Sequence, residues 1–222
     1  MDVSKILIFC ADNETGYRLC QLSTHAGYGV VAVLRDGSDP DRFENLGVEC
    51  VFADPTQRDE VEAVLAELDS QGLGVVCMLG GSSQLNSQGN INVIDASTAA
   101  GIRRFLMITS IGCGDSADAV DPFVKAFIGK ALRAKNWAET HLRASDMDWT
   151  IIRAGGMMRR PFRGHAMLVE SPNVSGYINQ TDLGDAVFHA LASSKTMGRV
   201  LTAVNRDKAF DIKGEPLVAA EL

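Results

Sequence analysis

Arg159, Arg160, Arg163 and His165 fall within seven residues of a 222-residue chain whose formal net charge is −7. Clustered cations in an acidic protein attract an anion, either a substrate group or the phosphates of a cofactor. A solvated loop rim has the same composition, so the cluster becomes a site only if the fold brings it to one. His25, His141 and His189 fall in helix-period segments, whereas His165 lies in a loop. Arg159, Arg163 and His165 are therefore the candidate substrate contacts. A second stretch able to do chemistry is Cys10-Ala11-Asp12-Asn13-Glu14-Thr15-Gly16, directly after the first apolar run. A strand-to-helix turn aims backbone N–H groups and a helix N-terminus at phosphate. Its dinucleotide-binding form uses three glycines: one for the turn, one for approach of the pyrophosphate and one for helix packing. Only Gly16 is present here, and Asn13 is expected to supply a left-handed turn residue. Asp12 and Glu14 oppose a pyrophosphate, at a cost on the order of 1–3 kcal/mol each for like charges ~4–6 Å apart.

The elements that would position these residues are legible from hydropathy. Lys5 to Cys10 is a continuous apolar run, as expected of a strand buried on both faces. Similar runs recur at Tyr28–Leu34, Val48–Phe52, Val75–Leu79, Phe105–Thr109, Trp149–Arg153 and Val200–Val204. Between them lie helix-period segments. Val61, Val64, Leu65 and Leu68 mark one helix, with Thr56 and Asp59 as its expected capping box. Gln88 to Ala100 is a second, stopped by Gly101. Phe123 to Leu142 is a longer one with Val124, Phe127, Ile128 and Ala131 on one side, and Asp182–Ala192 is the last. Alternation of this kind predicts an α/β fold, a doubly wound parallel sheet of the Rossmann type, in a single domain over 1–222. Ligands in such sheets bind beyond the carboxyl ends of the strands. The segment 155–182, rich in Arg, Gly and Pro, is expected to form a substrate-side loop region.

Composition excludes several classes. The acidic balance argues against nucleic acid as a partner. No apolar run approaches the ~18–20 residues that cross a bilayer, and the first residues lack a basic region and cleavage site, so a cytoplasmic location without membrane contact is expected. The five cysteines are scattered with no Cys-x-x-Cys, and no Cys or His pair has ligand spacing. Free buried thiols and no metal site are expected.

From about Lys5 to Val204 the chain resembles the atypical short-chain dehydrogenase/reductases, including the NmrA-like and biliverdin-IXβ/flavin reductase groups. The most specific match is Asn92 to Ser116 (NVIDASTAAGIRRFLMITSIGCGDS). It is similar to the family's helix, Ala-Gly-Val-Lys-Arg-Phe strand and Ser-Ser-Ile-Gly turn. Ala144 to Arg153 resembles the segment leading to Arg-Pro-Gly-Gly, with Ala154 in place of the proline. The resemblance implies that Arg35 forks onto the 2′-phosphate of NADPH, that Asp54 faces adenine and that Gly80 passes the adenosine ribose. The cofactor, NADPH, would lie over Asn13, Thr15, Gly16, Arg35, Asp54, Gly80 and Ser110.

The family's reaction uses a Ser, a Tyr and a Lys. Ser110 and Lys135 fall in the Ser and Lys places and are the candidate catalytic residues, but Ala131 stands in the Tyr place. Three functions follow. The first is an NADPH-linked reductase of a small conjugated or carbonyl-bearing molecule, protonating through Ser110 or water. The second is a non-catalytic dinucleotide sensor or partner-binding protein. The third is an isomerase or lyase that has lost the cofactor, which the acidic turn favours. The substrate, the direction of reaction and the oligomeric state are not written in the sequence.

Overall fold

The computed structural model describes residues 3–159 and 164–222. Its elements in chain order are β1 (Lys5–Phe9), α1 (Glu14–His25), β2 (Gly29–Leu34), β3 (Glu49–Phe52), α2 (Arg58–Ala66), β4 (Leu73–Cys77) and α3 (Asn90–Ala99). After these come β5 (Arg104–Ser110), α4 (Pro122–Arg143), β6 (Asp148–Ala154), β7 (Gly156–Met158), β8 (Ala166–Val169) and β9 (Val174–Asn179). The chain closes with α5 (Gln180–Ala192), β10 (Arg199–Asn205) and β11 (Ala209–Asp211). Eight strands form one sheet in the order β3-β2-β1-β4-β5-β6-β10-β8, parallel except for β8. The order reverses between β1 and β4, which is where a doubly wound sheet opens its crevice.

The apolar runs form this sheet because both of its faces are covered. Ile6 and Ile8 pack with Leu19 and Cys20 of α1 and Leu183 and Val187 of α5. Leu7 and Phe9, pointing the other way, pack with Val61 and Leu65 of α2, Val93 of α3 and Ala138 and Leu142 of α4. The period-2 alternation of the strand thus serves two cores.

Three expectations are corrected. Segment 155–182 is not simply loop, since it carries β7, β8 and β9; β9 pairs with β7 and β11 in a small second sheet. These strands, three to six residues long and punctuated by Gly and Pro, are too short for periodicity to declare. Helix α2 is not capped by Thr56, because both the N–H and the hydroxyl of Thr56 donate to Asp54 in a turn. Gln57 occupies the cap position without a side-chain bond. In the first turn, Asn13 is extended (φ −99°), and Cys10 takes the left-handed conformation (φ 65°).

Candidate active site

The turn after β1 is rebuilt with other residues where glycines are missing. Cys10 bends the chain at the position of the first glycine, a conformation costing roughly 1–2 kcal/mol for a side-chain-bearing residue. Asn13 then caps α1: its side chain accepts from the Gly16 N–H at 3.0 Å and donates to the Cys10 carbonyl at 2.9 Å. Gly16 keeps its packing role, since a Cβ there would stand 2.6 Å from the Ala11 backbone. The N–H groups of Glu14 and Thr15, in the first turn of the helix, have no intrahelical acceptor and remain as donors for an anion.

The two carboxylates of this turn are paired. Asp12 Oδ2 accepts from Arg35 Nε (2.9 Å), Arg35 Nη2 (2.6 Å) and the Ser38 hydroxyl (3.0 Å). Glu14 accepts from Arg42 at 2.8 Å, and that guanidinium also lies 4.0 Å over the Tyr17 ring. The expected repulsion of a pyrophosphate is thus largely neutralised. The same contacts qualify the expectation for Arg35, which is not waiting unpaired at the end of β2.

A cleft of about 280 Å³ opens at the switch point. Asn13, Thr15, Arg35, Gly80, Ser110 and Lys135 all border it, joined by Cys10, Met78, Thr109, Met157 and Gln180. Gly16 lies behind it. The Thr15 hydroxyl is spent on the Gln180 carbonyl (2.9 Å), tying α1 to α5, so its backbone is the part left for a ligand. Asp54 stands outside the lining, holding Thr56. Arg159 flanks a separate groove with Met158, Tyr177 and Lys208. His165 is exposed, with Nδ1 3.8 Å from Asp207. Arg163 lies outside the described residues. Of the described members of the cationic cluster, Arg159 and His165, neither borders the main cleft. Among the described residues no group of three or more His, Cys, Asp or Glu could hold a metal ion.

Ser110 ends β5 half-exposed in the cleft. Lys135 reaches it from α4, half-buried, and desolvation lowers its pKa, with Cys113, Cys77 and Glu139 countering part of that shift. Beneath them lies an ion pair that sequence reading missed. Arg153 donates to Glu139 at 3.1 and 2.8 Å, and the Thr109 hydroxyl donates to the same carboxylate at 2.7 Å. Both charged side chains are 2% exposed, and Asp115 closes the far side of the guanidinium. This clamp joins α4 to the ends of β5 and β6 one helical turn from Lys135, next to Ser110 in sequence. No spacing in the sequence pointed to it. Asp12 as the partner of Arg35 had no local signal at all.

The profile of the NAD(P)H-binding family matches residues 11–194. The chain belongs to that family. Its fold is that of ChuY from Escherichia coli O157:H7, an anaerobillin reductase, at TM-score 0.81 and 26% identity, over 91% of this chain and 98% of that one. It is 28% identical over 139 residues to sanguinarine reductase of Eschscholzia californica, across 60% of this chain and 46% of the relative. A short-chain dehydrogenase/reductase of Veillonella parvula, solved in complex with NADP, shares the fold at TM-score 0.75 and 15% identity, over 91% and 95% of the two chains. In this member of the family Gly16 is the one glycine in the turn from Cys10 to Gly16, and Ala131 stands one helical turn before Lys135. A nicotinamide dinucleotide fits the residues present. The α1 N-terminus is open, a Cβ at Gly80 or Gly81 would meet nothing within 4 Å, and the acidic side chains beside the phosphate site are paired with guanidinium groups.

Proposed function

We propose that the chain is an NADPH-linked reductase of a small conjugated or carbonyl-bearing molecule. The observation that carries this reading is that Ser110 and Lys135 border the same switch-point cleft as the rebuilt phosphate turn and Arg35. Reductase activity in ChuY and in sanguinarine reductase supports it. The NADP bound to the Veillonella parvula protein supports the nicotinamide cofactor.

A bound reduced nicotinamide supplies the hydride. The chain's own groups then handle the negative charge that the hydride leaves on the substrate's oxygen or conjugated heteroatom. The Ser110 hydroxyl donates a hydrogen bond to that atom, and the proton arrives through Ser110 or from water. The Lys135 ammonium adds positive charge on the same side, and desolvation strengthens its field. No tyrosine takes part: Tyr17 packs edge-on against Phe43, Tyr28 packs against Phe188, and Tyr177 borders the separate groove. The substrate end of the cleft suits an apolar body. Met78, Leu79, Ile108, Met157 and Leu183 give it apolar walls.

The test is steady-state NADPH oxidation with flavins, tetrapyrroles, quinones and enones as acceptors. Ser110→Ala should lower turnover on the order of 10²-fold at unchanged NADPH affinity, the cost of one positioned donor. Lys135→Arg, which keeps the charge at all accessible pH, should flatten the alkaline fall in kcat expected of the parent from a lysine whose pKa burial lowers. Tight NADPH binding without turnover on any acceptor would move the assignment to a dinucleotide sensor.

A further inference from the structure

We infer that Asp12 sets how strongly this chain distinguishes NADPH from NADH, by holding Arg35 against the 2′-phosphate. The inference rests on the reading above for the presence of a dinucleotide, and it needs no turnover.

The geometry is asymmetric. The Arg35 side chain is 52% exposed and borders the cleft, while that of Asp12 is 10% exposed. Two Arg35 groups, Nε and Nη2, converge on the single oxygen Oδ2, and Ser38 donates to the same atom. The other oxygen, Oδ1, is buried without a hydrogen-bond partner among the described residues. A carboxylate in that position depends on its guanidinium, because water does not replace the lost contacts.

A 2′-hydroxyl meets this pair as a neutral unit and leaves it intact. A 2′-phosphate has two routes, and both are costly. It can draw Arg35 away, leaving a buried carboxylate with neither oxygen adequately paired. It can instead dock on the Arg35 N–H groups not used by Asp12, placing a dianion next to an anion with one guanidinium between them. On either route Asp12 subtracts from the advantage that an Arg at the end of β2 gives NADPH. Neutralising it while keeping its shape releases that advantage. Asparagine retains an oxygen to accept from Arg35 and Ser38 and removes the charge.

The experiment measures dissociation constants by fluorescence titration for NADPH and NADH, and for adenosine 2′,5′-bisphosphate and 5′-AMP, which isolate the 2′-phosphate from the nicotinamide. Parent, Asp12→Asn, Arg35→Ala and the double variant are compared, with circular dichroism confirming the fold of each. The parent should favour NADPH over NADH by less than about tenfold. Asp12→Asn should tighten NADPH and the bisphosphate by about tenfold or more, with NADH and 5′-AMP within about twofold. The gain should disappear in the Arg35→Ala background, giving a non-zero coupling in the double-mutant cycle. It should also shrink as salt is raised. A parent that already favours NADPH a hundredfold, or an Asp12→Asn variant whose ratio of affinities is unchanged, overturns the inference and leaves the reductase reading standing. A parent that binds neither nucleotide at millimolar concentration overturns both.

Discussion

Two arginine–carboxylate pairs stand at the carboxyl edge of the sheet, with the same chemistry and opposite surroundings. Arg153 and Glu139 are each 2% exposed and share their hydrogen bonds with Thr109 and Asp115. Arg35 and Asp12 differ, one half in solvent and the other nearly covered. Where both ions are buried, neither can exchange its partner for water or ligand, so the pair acts as a fixed strut between α4 and the strands beneath Ser110. Where one is exposed, the cation can be offered to a ligand while the anion cannot be released. Accessibility of one partner, rather than the presence of an ion pair, separates a strut from a ligand-responsive contact.

The largest expected effect comes from breaking the strut. Glu139→Gln is close in shape but leaves the Arg153 cation buried beside a neutral amide, and should cost about 3–5 kcal/mol in urea unfolding. Burial opposes the charge on Arg153, yet Glu139 and Asp115 outweigh it and raise its pKa, so the arginine cannot escape by deprotonating. Replacing both partners with apolar residues, Glu139→Leu with Arg153→Met, should recover most of the loss. If the double variant is as unstable as the single one, the pair is more than a desolvated couple and the comparison fails.

A pH titration probes both pairs together, since each has a buried thiol beside it. Burial first, then Asp12, pushes Cys10 up to about 11; burial first, then Glu139, pushes Cys113 up to about 11; burial pushes Cys20 up to about 12. In the unfolded chain these thiols titrate earlier, so above that pH the unfolded state has lost protons that the folded state retains. Stability should therefore fall as pH rises, by up to about 1.4 kcal/mol per pH unit for each thiol. Lys135 works in the opposite direction, because its lowered folded-state pKa makes the unfolded chain bind more protons. Burial raises all five thiols, Cys50 and Cys77 included, and they outnumber Lys135 and Arg104, whose pKa burial lowers, so a net loss of stability is expected between about pH 8.5 and 10. Urea midpoints across that range check the sign, and a rise would contradict it.

The sheet could be read from the sequence because it needs no partner to be named: Ile6 through Phe9 are apolar without interruption, and only a two-sided burial accommodates that. The cleft's position followed from strand order. Charge was illegible for a different reason. Asp12 and Arg35 are 23 residues apart and Glu14 and Arg42 28 apart, so the sequence displays two acids at a phosphate turn and hides the bases that pair with them. Glu139 and Arg153 sit 14 apart on different elements and give no periodic signal. The left-handed residue was missed because propensity points to Asn13, whereas tertiary packing imposed that conformation on Cys10. Arg159 and His165 looked like part of the cleft through their charge, but neither borders it.

A smaller effect is expected from Arg35→Ala. It strips two hydrogen bonds from the Asp12 carboxylate, whose other oxygen already lacks a partner, and leaves only Ser38. A loss of about 1–3 kcal/mol in urea unfolding follows, below that of the strut because the Ser38 hydroxyl still donates to the carboxylate. Restoring neutrality with Asp12→Asn in the same chain should return part of that loss.

The smallest effect is expected from neutralising the carboxylate. Asp12→Asn alone leaves Arg35 half in solvent, where a guanidinium is well hydrated, and keeps an acceptor for Ser38. Neutralising the covered partner while the other stays in solvent forfeits only the modest value of a screened ion pair, about 0–1 kcal/mol. It also relieves the burial of a charged oxygen that had no partner, which offsets part of that loss. The order expected in urea unfolding is therefore Glu139→Gln well below Arg35→Ala, and Arg35→Ala below Asp12→Asn, the last within about 1 kcal/mol of the parent. If Asp12→Asn instead destabilises as much as Glu139→Gln, Arg35 depends on its carboxylate as Arg153 does. The pair at the end of β2 would then be a second strut, and Arg35 would not be free to answer a ligand.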